Sequence, residues 1–262
     1  MKLGYLGFGN MGSALAAGLA QYCPAVQSGE VTQYAWAPHA EKLRATAAAC
    51  GATPCAGAEE LVSRCDTIVL ACKPYQLEDA LRGLRLGGKA VVSVVNGWSF
   101  AALKALLGDA ARVQCIMPNT PVKVGKGTIL LATENDLEPS EREQLRALLG
   151  SVASVVELPE AKIPAANAIS GCGPAFLYMV IEALGDAGVK NGLARRDAYE
   201  LAAGTMAGVG AMVLGDPAAH PGALKDAVCS PGGITIRGVA ALEEAGMRSA
   251  FIKAVDATLE PR

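Results

Sequence analysis

The sequence has no surplus of positive charge. Its 262 residues carry 23 Lys+Arg against 25 Asp+Glu, a formal net charge of -2, so no basic face is spare to neutralise a phosphate backbone, and nucleic acid is excluded as a first-choice partner. Aromatic residues are scarce at 5%, which suits packed helices better than an all-β sandwich. With only two histidines and no Cys/His spacing suited to zinc, a metal centre is not expected. No run of about 18 uninterrupted apolar residues occurs, and Met1-Lys2-Leu3 leads into a glycine-rich motif instead of a signal-peptide core. The expectation is a soluble, cytoplasmic chain with no membrane partner. The eight cysteines contain no CxxC pair and sit mostly in apolar runs such as Val69-Leu70-Ala71-Cys72, so they read as reduced thiols that pack as small hydrophobes.

What is present is a 52% hydrophobic fraction and 30 glycines, enough for sizeable cores joined by tight turns. Up to residue 158, β-branched runs alternate with longer amphipathic stretches, the pattern of βαβ units around a parallel sheet. Strands are expected at 2–6, 31–36, 67–71, 90–95, 112–117, 127–132 and 152–157. Thr67-Ile68-Val69-Leu70-Ala71 is apolar on both faces, as a strand covered by helices on each side must be.

After Pro159 and Pro164 helical patterns take over, which divides the chain into domains 1–158 and 159–262. Phe176, Val180, Ala183 and Ala187 share one helical face, as do Leu201, Thr205, Gly208 and Met212. Gly192 and Gly215 read as helix stops. Gly204 and Gly208 form a GxxxG spacing suited to close helix approach. A helical domain of about 100 residues with apolar faces all round completes its core against a second copy, so an obligate homodimer is expected.

Gly7-Phe8-Gly9-Asn10-Met11-Gly12 follows the apolar run Leu3 to Leu6 and opens a helix. In that context Gly7 makes the tight turn, Gly9 admits a pyrophosphate to the backbone, and Gly12 lets helix and strand pack. The expected fold is therefore α/β, a Rossmann-type doubly wound sheet followed by an all-α dimerisation domain. The second strand ends in Trp36-Ala37-Pro38-His39 without the acid that would bind both ribose hydroxyls of NAD, and His39, Lys42 and Arg44 follow. That pattern favours NADPH, with NADH as the alternative. Ala71-Cys72-Lys73-Pro74 and Val95-Asn96-Gly97 lie at the same carboxyl edge, where ligands of such sheets bind. In the second half, Cys229-Ser230-Pro231-Gly232-Gly233-Ile234-Thr235-Ile236 is a glycine-rich loop entering a helix. It reads either as an anion site of free amides and hydroxyls or as a helix start with Thr235 as its cap.

These pieces, together with Met117-Pro118-Asn119-Thr120-Pro121, Gly171-Cys172-Gly173-Pro174-Ala175-Phe176, Asp186-Ala187-Gly188-Val189 and His220-Pro221 with Leu224, resemble the pyrroline-5-carboxylate reductases nearly end to end. The resemblance implies reduction of 1-pyrroline-5-carboxylate to L-proline with NAD(P)H, the final step of proline biosynthesis, by a chain that interlocks in a dimer and in some members a decamer. It implies that Thr235 hydrogen-bonds the ring nitrogen while Ser230, Gly232, Gly233, Ile234 and Thr235 hold the substrate carboxylate. Leu6, Gly7, Phe8, Gly9, Asn10, Met11 and Gly12 would contact the phosphates, and Ala37 and Pro38 the adenosine. Ala71, Cys72, Lys73, Pro74, Val95, Asn96 and Gly97 would contact the ribose and nicotinamide, and Met117 to Pro121 would wall the site. The sequence departs from the family at Cys172, where Ser is usual, at Asn96, where a small apolar residue is usual, and at Ala227, often polar. Two rivals remain. β-Hydroxyacid dehydrogenases share the GFGNMG opening but carry a catalytic Lys where this chain has Leu177, and a non-catalytic NADP(H)-binding regulator would have no need of the Ser230–Thr235 loop. His220 is expected to be a bystander at a helix entry.

Overall fold

The β-branched runs pair into one eight-stranded sheet in a computed structural model that describes residues 1–260. The strands are β1 (Lys2–Leu6), β2 (Thr32–Trp36), β3 (Thr53–Pro54), β4 (Thr67–Leu70), β5 (Ala90–Ser93), β6 (Arg112–Pro118), β7 (Gly127–Asn135) and β8 (Ala153–Leu158), in the order β3-β2-β1-β4-β5-β6-β7-β8. From β3 to β6 all pairs are parallel. β7 runs antiparallel to β6, with β8 parallel to β7. The reversal follows from the connection: only the 3-10 turn Thr120–Val124 joins β6 to β7, too short for the crossover that a parallel pair requires. β3 has two residues, one of them proline, and leaves no alternation for sequence reasoning to detect.

Helices cover both faces. On one lie α1 (Asn10–Tyr22), the short α2 (Pro24–Gln27) and α3 (Ala40–Ala49); on the other lie α4 (Ala58–Arg64), α5 (Leu77–Leu81) and α6 (Phe100–Leu107). α7 (Pro139–Gly150) joins the first group through Leu145, Leu148 and Leu149. Successive strand residues divide between the two cores, Val69 and Val92 into one, Ile68 and Val91 into the other, which is why these strands are apolar throughout. α8 (Ile163–Ser170) also packs on β6 and β7, with Ala168 only 2% exposed. The first compact unit therefore runs from Met1 to Pro174, past the prolines at 159 and 164 where the sequence changes character.

The second unit, from Ala175 onward, is helical: most of α9 (Gly173–Lys190), then α10 (Arg195–Gly215), α11 (Pro221–Ala227), α12 (Ile234–Glu244) and α13 (Met247–Leu259). α9 and α10 form a hairpin around Gly192, whose φ of +95 suits glycine. A Cβ at Gly185 would lie 2.3 Å from the Tyr199 ring, and one at Gly188 2.7 Å from the Ala198 Cβ, so these two glycines set the close approach. Gly204 and Gly208 meet nothing within 4 Å. His220 is no bystander: it is the N-cap of α11, its Nδ1 accepting from the Gly222 N–H at 3.2 Å.

Candidate active site

The glycines of the first turn serve three separate physical needs. At Gly7, φ is +96 and a Cβ would sit 2.5 Å from the Cys72 backbone nitrogen, so the β1 turn lies directly on the chain leaving β4. At Gly12 a Cβ would meet the Gly7 carbonyl oxygen at 2.7 Å, so α1 approaches the turn only with glycine there. Gly9 faces open space. It is the N-cap of α1, whose first turn has neither an acidic residue nor a capping side chain. The orphan amides of that helix end are thus free for an anion.

The other expected cofactor residues lie along the same carboxyl edge. Gly7 N–H donates to the Trp36 carbonyl at 2.9 Å, Ala71 N–H to the Leu6 carbonyl at 2.8 Å, and Val94 N–H to the Leu70 carbonyl at 3.1 Å. The structure thereby brings Leu6–Gly12, Ala37–Pro38, Ala71–Pro74 and Val95–Gly97 to successive strand ends. His39, Lys42 and Arg44 are exposed beyond β2, and no acidic group stands at its end.

Val95, Asn96 and Gly97 also form part of the wall of a cavity of about 480 Å³, opposite Met117, Glu134, Glu160 and Asn167. Of the expected wall Met117–Pro121, Met117 lines this cavity, whereas Asn119 is buried and works as a tie. Its Oδ1 accepts from Thr128 N–H at 2.8 Å and its Nδ2 donates to the Ser170 carbonyl at 2.9 Å. Sequence reasoning missed Trp98, Glu134 and Glu160. Glu134 accepts from the Glu160 N–H at 2.7 Å, Glu160 accepts from the Phe100 N–H at 2.6 Å, and Trp98 donates through Nε1 to the Pro74 carbonyl at 3.3 Å. The Glu160 N–H holds the Glu134 carboxyl below the usual carboxylate range. No motif marks these residues; their contacts span 24 to 60 positions.

Burial pushes the Cys115 thiol at this cavity up to about 12, with Glu160 and Glu134 adding to it. Burial likewise raises Cys72 and brings Cys65 to about 12. All eight cysteines are free, and these three are protonated at neutral pH, the inert packing role expected. Cys172, half-buried, directly precedes α9.

In the second unit, the Ser230–Thr235 loop is closed by Gly233 N–H donating to the Ser230 carbonyl at 3.0 Å, with Gly232 at φ +68. A Cβ at Gly233 would lie 2.4 Å from Ser230 Oγ, so Gly233 contributes shape and its amide is already used. Gly233 is the N-cap of α12, and no side chain caps that helix. Thr235 is therefore not a cap; it is exposed in α12's first turn beside Ile234.

Known proteins match this arrangement along both halves. A family model described as "Pyrroline-5-carboxylate reductase dimerisation" matches residues 160–261, and one described as "NADP oxidoreductase coenzyme F420-dependent" matches residues 2–97. A pyrroline-5-carboxylate reductase of Treponema pallidum is 44% identical over 264 residues, covering 99% of each chain. One of Escherichia coli is 33% identical over 265 residues, 99% of this chain and 96% of that one. The crystal structure of a Plasmodium falciparum pyrroline carboxylate reductase with NADP bound is similar with a TM-score of 0.86 at 32% identity, covering 99% of this chain and 95% of that one. A chain alike over its whole length to such enzymes, with the glycine turn and the Ser230–Thr235 loop both in place, belongs to the pyrroline-5-carboxylate reductase family.

Proposed function

We propose that this chain reduces 1-pyrroline-5-carboxylate to L-proline, the last step of proline biosynthesis, with NADPH as the hydride donor and NADH as the alternative. The observation that carries this reading is the 44% identity to a pyrroline-5-carboxylate reductase across 99% of both chains. The residues present fit the cofactor: an open Gly9, an uncapped helix N-terminus and a β2 that ends in Trp36-Ala37-Pro38 without an acid suit a dinucleotide with a 2'-phosphate. Leu6–Gly12 would hold its phosphates, Ala37–Pro38 its adenosine, and Ala71–Pro74 with Val95–Gly97 its ribose and nicotinamide. When bound, it supplies the hydride that adds to the imine carbon, while the ring nitrogen ends protonated.

For that chemistry the chain has to orient a polarised C=N and donate near its nitrogen. Thr235, free of any capping duty, offers its hydroxyl to the ring nitrogen. The amides of Ile234 and Thr235 and the Ser230 hydroxyl hold the carboxylate, and Gly232 and Gly233 give the bend its shape. The division of labour assigns the nucleotide to residues 1–158 and the substrate and dimer contacts to residues 159–262.

A homodimer covers what the second unit leaves bare, including Leu201 and Met212 at 59% and 60% exposure, and any decamer would be built from it. The helical stretch Glu160–Lys190, which ends in α9, and α10 are long and apolar enough to cross a membrane by length and composition. We assign those faces to the partner copy, because the pyrroline-5-carboxylate reductase dimerisation model spans residues 160–261, and the protein to the cytoplasm.

Mixing the protein with NADPH and 1-pyrroline-5-carboxylate tests the reading through loss of NADPH absorbance and appearance of proline. Turnover only with a hydroxyacid and NAD+ would point to the dehydrogenase, and cofactor binding without turnover to the regulator. A higher kcat/KM with NADPH than with NADH is expected.

A further inference from the structure

We propose that Trp98 is a positioning residue that locks the two loops flanking the nicotinamide into one unit, an inference that rests on the assignment of Ala71–Pro74 and Val95–Gly97 to the cofactor. The two loops leave neighbouring strands, since β4 and β5 pair with Leu70 opposite Ser93. Backbone hydrogen bonding between them stops at the strand ends. Beyond that edge the indole N–H of Trp98 reaches across to the Pro74 carbonyl at 3.3 Å.

The geometry that allows this is local. Gly97 sits at φ +82, a left-handed turn that a larger residue would resist. Trp98 is half-buried, packs against the core on the α4–α6 side of the sheet and borders the cavity with Val95, Met117 and Ile163, so it is packed as well as hydrogen-bonded. Immediately after it the chain is fixed again: Ser99 caps α6 through its hydroxyl, and the Phe100 N–H donates to Glu160 at 2.6 Å. The exposed apex Asn96–Gly97 is thus held on the ribose side by Trp98 and on the α8 side by Glu160. Removing the indole N–H frees one side, and the binding of the cofactor must then order that loop itself.

The test is Trp98→Phe in the full-length enzyme, which keeps an aromatic ring and deletes the donor. One hydrogen bond corresponds to a rise of roughly three- to tenfold in KM for NADPH, with kcat at saturation and the unfolding temperature close to wild type. A purely structural role would lower the unfolding temperature and leave KM for NADPH alone, and that result overturns the proposal. Asn96→Phe, at the exposed apex, separates the two layers of the argument. If Asn96→Phe weakens NADPH and Trp98→Phe does not, the brace is wrong while the loop assignment stands; if neither does, the loop assignment falls and the brace with it. Should Trp98→Phe fail to fold, Trp36→Phe leaves Trp98 as the sole tryptophan, since the chain has two. A shift of its emission maximum on titration with NADP+, which does not absorb in the emission band, supports the placement, and an unchanged maximum at saturation overturns it.

Discussion

The two units draw on similarly apolar sequence and use it in opposite ways. In the first, the aliphatic residues of eight strands and their flanking helices are buried in two cores, one on each face of the sheet. In the second, Ala198 and Ala202 are the buried hydrophobic residues among the described ones, while Leu177, Leu184, Leu201, Met212 and Leu214 stand exposed. The first unit covers its own apolar surface; the second leaves most of its large apolar side chains exposed. Apolar composition alone does not distinguish them, because it reports how much surface needs covering and not whether the same chain covers it.

The contrast can be broken first at Gly7. Gly7→Ala forces a Cβ to within 2.5 Å of backbone at φ +96, costing about 4 kcal/mol from strain and overpacking together. NADPH binding should be lost and the thermal midpoint should fall by about 10 °C, while sedimentation still reports a dimer. A stable, active Gly7→Ala would remove the case for the cradle. The converse experiment is Leu201→Glu with Met212→Glu, which places charge on the bare face of α10. Loss of interface anchors is expected to weaken dimerisation by about 30- to 1000-fold; an unchanged dimer dissociation constant would show that this face is not the interface.

Thr235→Ala is subtler. The hydroxyl makes no helix cap, so stability should hold while kcat/KM drops roughly ten- to a hundredfold. Near-wild-type turnover would sink its assigned role. The smallest effect concerns alkaline pH and belongs to the first unit. The Cys65 and Cys115 thiols ionise near 12 in the fold and near about 8.5 when unfolded. Their raised values favour the folded state below about pH 8.5, and that contribution drains away as pH climbs toward 12. At pH 9 the loss is less than about 1 kcal/mol per thiol. Urea midpoints measured at pH 8 and 9 should show this decline, and Cys65→Ala should flatten it.

How much of the site could be read beforehand depends on how far apart its partners lie in the chain. The turn at Gly7–Gly12 was legible because three glycines, a strand and a helix are contiguous and each glycine answers a local need. The strand ends at Ala71 and Val95 were legible because a parallel sheet sends its loops to one edge. Trp98 and Glu160 were not, and Asn119 was expected only in the wall and not as a tie, since their partners are 24, 60 and up to 51 residues away. His220 escaped notice as a cap because histidine is not among the residues that favour that position.

Local spacing and backbone preference were enough to establish the strand–turn–helix cradle, the change to helix after residue 159, and the glycine-rich bend before α12, because each depends on neighbouring residues. The reversal of β7, the reach of the first unit to Pro174, the use of Gly185 and Gly188 rather than Gly204 and Gly208 for close approach within the chain, and the ties that hold the loops after β4 and β5 were decided only by the tertiary structure. All of these depend on which distant surfaces meet, and packing settles that by burying apolar area and pairing every polar group it buries.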